Sequence, residues 1–353
     1  MKHAILGGGN IGTLMGAELA AKGHEVSIVT SDPLPWSNSI DILDQNEEPL
    51  VADCPINATS NLAQAVTNAQ YIWITYPTYL FGETAAKLSP LLSKGQRVGV
   101  IPGACAEFFF SGLVEKGCTL FGFQRVHSVA RIVKRGHSVA MLGRKPSLQV
   151  ASIPSSEASD IASQVEGFFD IPTEALPNYL NLTLVPSNPI LHTSRIATMF
   201  HGWKQGDTYP RNYLFYEEWT DDASRLMLEC DNELQQLCET LPLDLSAVIS
   251  LRKHYESNTP EAMTQKISHI AAFKGLPSPM RRLAEDTWVP DFESRYFRAD
   301  FSYGLEAIRQ IADLAGVDTP GMDRILDWYY HTSGKQRAFT VNAQTLEQLI
   351  DVY

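Results

Sequence analysis

The stretch His3-Ala4-Ile5-Leu6-Gly7-Gly8-Gly9-Asn10-Ile11-Gly12 decides the fold of the first part of this 353-residue chain. An apolar run that ends in G-x-G-x-x-G and continues as a helix is the fingerprint of a dinucleotide-binding turn. The first glycine permits the tight turn, the second lets backbone approach a pyrophosphate, and the third allows the helix to pack closely on the strand. The pyrophosphate is expected at the positive end of the helix. The residues predicted to bind cofactor here are Gly7, Gly9, Asn10, Ile11 and Gly12.

Short β-rich runs alternate with helical patterns through the first half of the chain, which predicts a parallel sheet covered by helices. In such sheets ligands bind outside the carboxyl ends of the strands. The loops 76–79, which contain Pro77, and 102–104 should therefore border the nicotinamide. Helices are predicted over 11–22 and 82–92, and strands over 25–30, 70–76, 97–101, 120–127, 137–142 and 148–152.

The pattern changes near residue 180, where apolar residues begin to recur at helical spacing. Helices are predicted over 221–241, 305–315, 325–330 and 346–352, and Gly316 follows the second of them as a helix-ending glycine does. We predict an α/β Rossmann-type domain over 1–180 that binds NAD(P), followed by an all-α domain over 181–353.

Composition and charge limit the partners. The net charge of −12 argues against nucleic acid, because a phosphate-binding surface needs clustered Lys and Arg. No apolar run reaches the roughly 20 residues that span a bilayer, and a first strand beginning at residue 3 leaves no signal peptide to expect. Five cysteines without a C-x-x-C pair predict reduced thiols and a cytoplasmic protein. No spacing typical of a metal site occurs.

Two segments of the second half carry candidate chemistry. Pro186–Arg195 places His192 where a turn enters a helix, and an imidazole there can exchange protons near neutrality. The alternative is a histidine held by a backbone carbonyl. The segment Ser294–Gly304 interrupts the helical pattern: Arg295 can bind a carboxylate bidentately, and Asp300 can orient a histidine. The alternative is an ordinary Arg–Asp surface ion pair.

Together these segments resemble the opine dehydrogenase family, also called octopine/nopaline dehydrogenases, over most of the chain. The resemblance is carried by the glycine turn, Asn188-Pro189-x-x-His192, Phe215-Tyr216 before the helix containing Leu228-Glu229-Cys230-Asp231-Asn232-Glu233, and Arg295-Tyr296-x-x-x-Asp300-x-x-x-Gly304-Leu305. The chain departs from the family pattern at Thr193, where proline is common, and at Ser302, where Asp-x-Pro is common. Both changes can reshape a pocket without removing a reacting atom.

This resemblance implies both a fold and a reaction. Family members join an amino group to an α-keto acid as an imine and reduce it with NADH or NADPH to an N-(carboxyalkyl) amino acid, a reductive amination. Their helical domain is of the 6-phosphogluconate-dehydrogenase C-terminal type. By resemblance, His192 is the catalytic histidine, Asp300 its acidic partner and Arg295 the carboxylate-binding residue. The expected partners are a small amino acid and a keto acid; their identities, the product stereochemistry and a homodimer stay open.

The choice between NAD and NADP also stays open. NAD enzymes place an acid on the ribose at the end of the second strand, and NADP enzymes an arginine nearby. Here Thr30 stands at that position, and Asp32, two residues later, can contact the ribose or cap the turn before Pro33. Both are predicted to bind cofactor. Thr30 and Ser31 are compatible with the 2′-phosphate of NADP, yet no arginine accompanies them. The basic segment containing Arg125, Arg131, Lys134 and Arg135 is interpreted as a solvated face. The alternative is contact with substrate carboxylates.

Two other functions fit the same architecture. One is a 2-hydroxy acid dehydrogenase similar to ketopantoate reductase or glycerol-3-phosphate dehydrogenase, which would need a lysine in the helical domain that this chain lacks in a matching context. The other is a non-catalytic NAD(P) sensor. The pairing of His192 with Asp300 argues against the sensor.

Overall fold

The computed structural model describes residues 1–337 and 339–353, which form two compact units. The first unit comprises Met1–Thr183 together with Val352–Tyr353, and the second comprises Leu184–Asp351. The second unit therefore begins at Leu184, and the last two residues belong to the first unit.

A mostly parallel sheet of eight strands organises the first unit. Its strands are β1 (Lys2–Leu6), β2 (Glu25–Val29), β5 (Asn57–Thr59), β6 (Tyr71–Ile74), β7 (Arg97–Val100), β8 (Thr119–Phe123), β11 (Leu148–Ile153) and β12 (Thr173–Ala175). Their order is β12-β11-β8-β7-β6-β1-β2-β5. The predicted parallel sheet is present, with the exception that β11 runs antiparallel to β8. Several strands end earlier than predicted; β6 stops at Ile74, so that Thr75 and Tyr76 leave the sheet and line a pocket.

Helices cover the main sheet as predicted. They are α1 (Asn10–Ala21), α2 (Leu62–Val66), α3 (Phe81–Leu88), α4 (Glu107–Glu115), α5 (Ala158–Phe169) and α6 (Leu180–Thr183), with 3-10 turns at Thr78–Leu80 and Ser155–Glu157. α1 is buried from Gly12 to Ala20. A helix covered on one face only would show an exposed stripe, so α1 must be covered on more than one side.

A second sheet that the sequence analysis did not predict covers the outer side of α1. Its strands are β3 (Ser39–Leu43), β4 (Pro49–Pro55), β9 (Ser128–Lys134) and β10 (Ser138–Arg144), in the order β4-β3-β10-β9. The Asn10 side chain accepts a hydrogen bond from the Ile132 amide at 2.9 Å. Glu18 of α1 binds His127 and Arg144, each at 2.6 Å. These contacts fix the cofactor helix between two sheets.

A buried carboxyl lies at the start of α4. Glu107 is 3% exposed and accepts hydrogen bonds from the Thr183 hydroxyl at 2.6 Å and the Tyr353 hydroxyl at 3.1 Å. Burial raises the pKa of Glu107 to about 7, and the hydrogen bond from Thr183 opposes that rise. The C-terminal residue is thereby held on a carboxyl that titrates near neutrality.

Replacing Glu107 by glutamine should change how stability depends on pH. Because the folded-state pKa, about 7, lies above the ordinary value of 4.5, this carboxyl stabilises the fold fully below pH 4.5 and loses that contribution as pH rises through 7. We expect the wild type to lose about 2–3 kcal/mol of unfolding free energy through this group between about pH 5 and pH 8. Urea unfolding at about pH 5 and about pH 8 should show that Glu107→Gln lacks this pH-dependent part of the unfolding free energy. Glu115→Gln, at an exposed position of the same helix, should retain it, and a Glu107→Gln variant with the wild-type pH dependence would contradict the assignment.

The second unit is helical, as predicted, and also contains a short β-hairpin that was not predicted. Its helices are α7 (Leu191–Met199), α8 (Asp221–Thr240), α9 (Leu251–Tyr255), α10 (Pro260–Ser268), α11 (Glu306–Ala315), α12 (Pro320–Ser333) and α13 (Leu346–Ile350), with a 3-10 turn at Ala271–Phe273. A π-helix spans Tyr296–Leu305, and the hairpin joins β13 (Met280–Ala284) to β14 (Thr287–Pro290). Across the described residues, no helix combines the length and apolarity needed to cross a membrane.

Candidate active site

The predicted dinucleotide turn opens onto a pocket of about 560 Å³ in the first unit. The carboxyl ends of β1, β2 and β6 meet there, as expected for a sheet of this order. Of the predicted cofactor residues, Gly7, Gly9, Thr30 and Pro77 line this pocket. Asn10, Ile11, Gly12 and Asp32 are not among the lining residues.

The geometry of the glycine turn fits a pyrophosphate. Gly7 has φ +119°, and a Cβ on Gly12 would lie 2.0 Å from the Gly7 carbonyl oxygen, so both positions require glycine. A Cβ on Gly9 would meet nothing within 4 Å and would project into open space. Gly9 is also the N-cap of α1, where no side chain accepts from the first-turn N–H groups. These donors are therefore left for an anion, and the residues present fit NAD(P).

The π-helix explains why the sequence loses its helical pattern before Glu306. Residues five apart are linked by i→i+5 hydrogen bonds in a π-helix, and such segments occur often at functional sites. Arg295 precedes the first residue of this segment and Asp300 lies within it, five positions later. The buried side chains Phe297, Phe301 and Leu305 fix its inner face. The two charged residues are thus separated by the interval of one π-helical hydrogen bond.

Close packing of the π-helix against the turn before α7 brings the two predicted motifs together. A Cβ on Gly304 would lie 2.9 Å from Pro189 Cβ, so a larger residue would push the segments apart. With the segments in contact, His192 Nδ1 lies 2.8 Å from Asp300 Oδ2. The predicted pairing of His192 with Asp300 is thus present in the structure, although the two residues are 108 positions apart in the chain.

The second nitrogen of His192 also has a side-chain partner. His192 is 6% exposed, and its Nε2 lies 3.1 Å from the Tyr216 hydroxyl. Both ring nitrogens are therefore held by side chains, and the alternative of a histidine held by a backbone carbonyl does not apply. Tyr216 stacks on Phe273, with ring centroids 4.1 Å apart. Tyr216 belongs to a sequence motif, but the sequence alone indicates no role for it.

Protonation at this site follows from the partners. Burial is the main cause that raises the pKa of Tyr216, and nearby ionisable side chains such as Tyr296 and Asp300 raise it further. The Tyr216 hydroxyl therefore keeps its proton. When the imidazole of His192 is neutral, the Tyr216 O–H donates a hydrogen bond to Nε2. The ring proton is then assigned to Nδ1, and the Nδ1–H donates to the Asp300 carboxylate. Asp300 thus holds one tautomer and will stabilise the imidazolium when Nε2 takes a proton.

Arg195, one turn along α7 from His192, holds the segment that carries Tyr216. Its guanidinium is buried and donates to the Phe215 carbonyl at 3.1 Å and the Glu218 carbonyl at 2.6 Å. Burial lowers the pKa of Arg195 to about 10. Sequence analysis assigned it no role, because its two partners are recognisable only once the fold is known.

Arg295 lies at the open side of the same cluster. Its side chain is exposed, and Cζ lies 5.7 Å from the Tyr296 ring centroid. The Tyr296 ring in turn lies 4.8 Å from that of His192. Within residues 1–337 and 339–353 no ion pair joins Arg295 to a carboxylate. Its guanidinium is available for an external carboxylate.

A wider cavity in the second unit, of about 870 Å³, is reached by Arg195 but not by the other side chains of this cluster. It is lined by residues such as Met199, Tyr213 and Trp328, and not by His192, Asp300 or Arg295. We therefore assign the chemistry to the cluster around His192 and not to this cavity.

A Rossmann-type unit with a dinucleotide pocket, followed by a helical unit with a histidine–aspartate pair, defines an NAD(P)-dependent oxidoreductase. Residues 2–143 match the N-terminal domain of NAD-dependent glycerol-3-phosphate dehydrogenase, and residues 175–332 match the α-helical domain of NAD/NADP octopine/nopaline dehydrogenase. The helical half of the chain is therefore similar to the helical domain of the octopine/nopaline (opine) dehydrogenases.

Individual relatives agree with this assignment along the whole chain. Tauropine dehydrogenase from Arabella iricolor is 28% identical, over 94% of this chain and 91% of the relative. Opine dehydrogenase from Arthrobacter sp. (strain 1C) is 24% identical, over 98% of this chain and 94% of the relative. The structure of octopine dehydrogenase with NADH and L-arginine superimposes with a TM-score of 0.83 at 20% identity, covering 99% of this chain and 95% of that one. The predicted fold class is thereby confirmed.

Proposed function

We propose that this protein catalyses the NAD(P)H-dependent reductive condensation of an amino acid, or another amine, with an α-keto acid to give an N-(carboxyalkyl) amino acid. The observation that carries the proposal is His192, held between the Asp300 carboxylate and the Tyr216 hydroxyl. This arrangement suits a group that must donate a proton in one step and accept one in another. The relatives named above support the reaction class.

Each step of the reaction has a residue suited to it. Arg295 binds the carboxylate of the keto acid. The neutral amine adds to the keto carbon to give a carbinolamine, and His192, as imidazolium, protonates its hydroxyl, which departs as water and leaves a protonated imine. Asp300 stabilises the charged ring through Nδ1. Bound NADH or NADPH supplies the hydride that reduces the imine carbon. In the reverse direction neutral His192 takes a proton from the attacking water.

The substrates are proposed at the level of chemical class. Structures of octopine dehydrogenase have been determined with NADH and L-arginine, NADH and agmatine, and NADH and pyruvate. These compounds are small amines and a keto acid, which agrees with a site containing one free guanidinium and one acid–base pair. We also propose a cytoplasmic location, which is supported by five cysteines that form no disulfide in the described part of the chain.

A matrix of amines and keto acids tests the proposed reaction. With NADH or NADPH, we expect loss of reduced-nicotinamide absorbance only when an amine and a keto acid are both present. Oxidation by a keto acid alone would instead indicate a 2-hydroxy acid dehydrogenase. Tight cofactor binding without turnover across the matrix would indicate a sensor.

Replacing Arg295 by glutamine should weaken keto-acid binding specifically. Losing a charge-assisted pair of hydrogen bonds to a carboxylate costs about 1.5–3 kcal/mol, so the KM for the keto acid should rise about 10- to 100-fold. Steady-state kinetics with the keto acid varied at saturating amine and cofactor measures this. Arg281→Gln, at an exposed position of β13, should leave that KM unchanged. An unchanged KM in the Arg295 variant would remove this residue from the substrate site.

A further inference from the structure

We propose that this protein binds NADPH in preference to NADH, and that Arg135, with the hydroxyls of Thr30, Ser31 and Ser60, holds the 2′-phosphate. All four residues line the dinucleotide pocket of the first unit. The inference deepens the proposed function and rests on its assignment of this pocket to a nicotinamide dinucleotide. The identity of the amine and keto acid does not enter it.

The end of β2 carries hydroxyls where NAD-selective pockets carry an acid. Thr30 is buried and its amide donates to the Thr59 carbonyl at 3.0 Å, which brings the end of β5, and Ser60 after it, beside Thr30 and Ser31. Asp32 is exposed and is not among the lining residues. A carboxylate at this place would accept from the ribose hydroxyls and repel a phosphate, whereas hydroxyls can donate to phosphate oxygens.

Arg135 reaches this place because its turn is fixed to the loop that follows β2. Gly136 has φ +73°, and a Cβ there would lie 2.7 Å from Trp36 Cα. The Gly136 carbonyl accepts from the Ser37 amide at 2.9 Å. The Trp36 ring in turn lies against Gly8, whose Cβ would be 2.5 Å from Cζ2 of that ring. The arginine turn, the loop after β2 and the glycine turn are thus in mutual contact.

Within the described residues, the charged side chains that line the pocket do not pair with Arg135, so its guanidinium can bind a ligand. Of the described lining residues, Glu83 is the one with a carboxylate, and it pairs with Lys87. Arg135 forms no ion pair with any described residue, although the chain carries an excess of acids. An unpaired guanidinium beside three hydroxyls matches a dianionic phosphate, because arginine binds phosphate oxygens bidentately. The interpretation of this basic segment as a solvated face therefore does not extend to Arg135.

The test compares two adenosine ligands that lack the nicotinamide, so that its outcome does not depend on turnover. Adenosine 2′,5′-bisphosphate and 5′-AMP are titrated into the full-length protein by calorimetry. One charge-assisted contact is expected to make the bisphosphate bind about 10- to 100-fold more tightly, and this ratio should shrink as salt is raised. Arg135→Gln should abolish the ratio and leave 5′-AMP affinity unchanged. Arg131→Gln, at an exposed position of β9, should preserve the ratio.

Equal affinities in the wild type would overturn the inference, as would an Arg135→Gln variant that keeps the ratio. An equal loss of both affinities would also overturn it, since Arg135 would then support the fold of the pocket. Failure of the inference is separable from failure of the proposed function. The bisphosphate preference can hold when no amine and keto acid pair is turned over, and turnover with NADH can occur without that preference.

Discussion

Replacing His192 by alanine is expected to lower kcat by about 10²–10⁴ while leaving NAD(P)H affinity unchanged. The imidazole exchanges the proton at the departing hydroxyl, and neither Asp300 nor Tyr216 can take over its Nε2 position. The cofactor pocket lies in the first unit and contains no atom of His192. Steady-state turnover, with cofactor affinity measured separately by nicotinamide fluorescence, distinguishes the two effects.

His201 provides the matched control. It follows α7 at an exposed position, so His201→Ala should turn over at the wild-type rate. A second variant, His192→Gln, fills the space of the ring without its acid–base chemistry and should lose turnover as His192→Ala does. Near wild-type turnover in a folded His192 variant would exclude this residue from the mechanism.

Replacing Gly9 by alanine is expected to have the second largest effect, a loss of NAD(P)H affinity by about 10²-fold. The backbone of Gly9 has φ −87° and ψ −175°, which any residue adopts, and its Cβ would contact no protein atom within 4 Å. The fold should therefore tolerate the substitution. The methyl group would instead occupy the space through which a pyrophosphate approaches the backbone donors, each contact contributing about 1.5–3 kcal/mol.

Cofactor titration followed by fluorescence, together with thermal unfolding, tests this expectation. Gly112→Ala is the control, since a Cβ at Gly112 in α4 also meets nothing within 4 Å but lies outside the cofactor pocket. Both variants should unfold near the wild-type temperature. Wild-type cofactor affinity in Gly9→Ala would show that the pyrophosphate does not lie at this turn.

The main sheet and its glycine turn could be predicted because their signals are local. The buried strand Tyr71–Ile74 is a continuous apolar run, and Gly7–Gly12 carry their constraints within a few residues. The second sheet could not be predicted in the same way. Its parallel pairing joins Asp41 to Ser138, nearly a hundred residues apart, and its strand Pro49–Pro55 is mostly exposed.

In the candidate site, too, features with local sequence signals could be predicted, and features that depend on distant residues could not. Sequence analysis identified His192, Asp300 and Arg295 through their motifs, and detected that the helical pattern fails before Glu306. The π-helical geometry that produces this interruption was not predicted, because the helical templates applied have a period of 3.6 residues. Tyr216 was assigned no functional role and Arg135 none towards the cofactor, because each depends on partners distant in the chain. Thr30 and Ser31, without a nearby arginine, left the choice of cofactor open. The arginine that we propose for the 2′-phosphate comes from a turn about a hundred residues later.

The most direct test of the proposed chemistry is product analysis with cofactor deuterated at the transferred position. Supplied with an amine and a keto acid, the protein should yield a secondary amine with one deuterium on the carbon between the new nitrogen bond and the keto-acid carboxylate. The His192→Ala variant should form that product at least about 10²-fold more slowly. Deuterium recovered in a 2-hydroxy acid, with the amine unconsumed, would contradict the account.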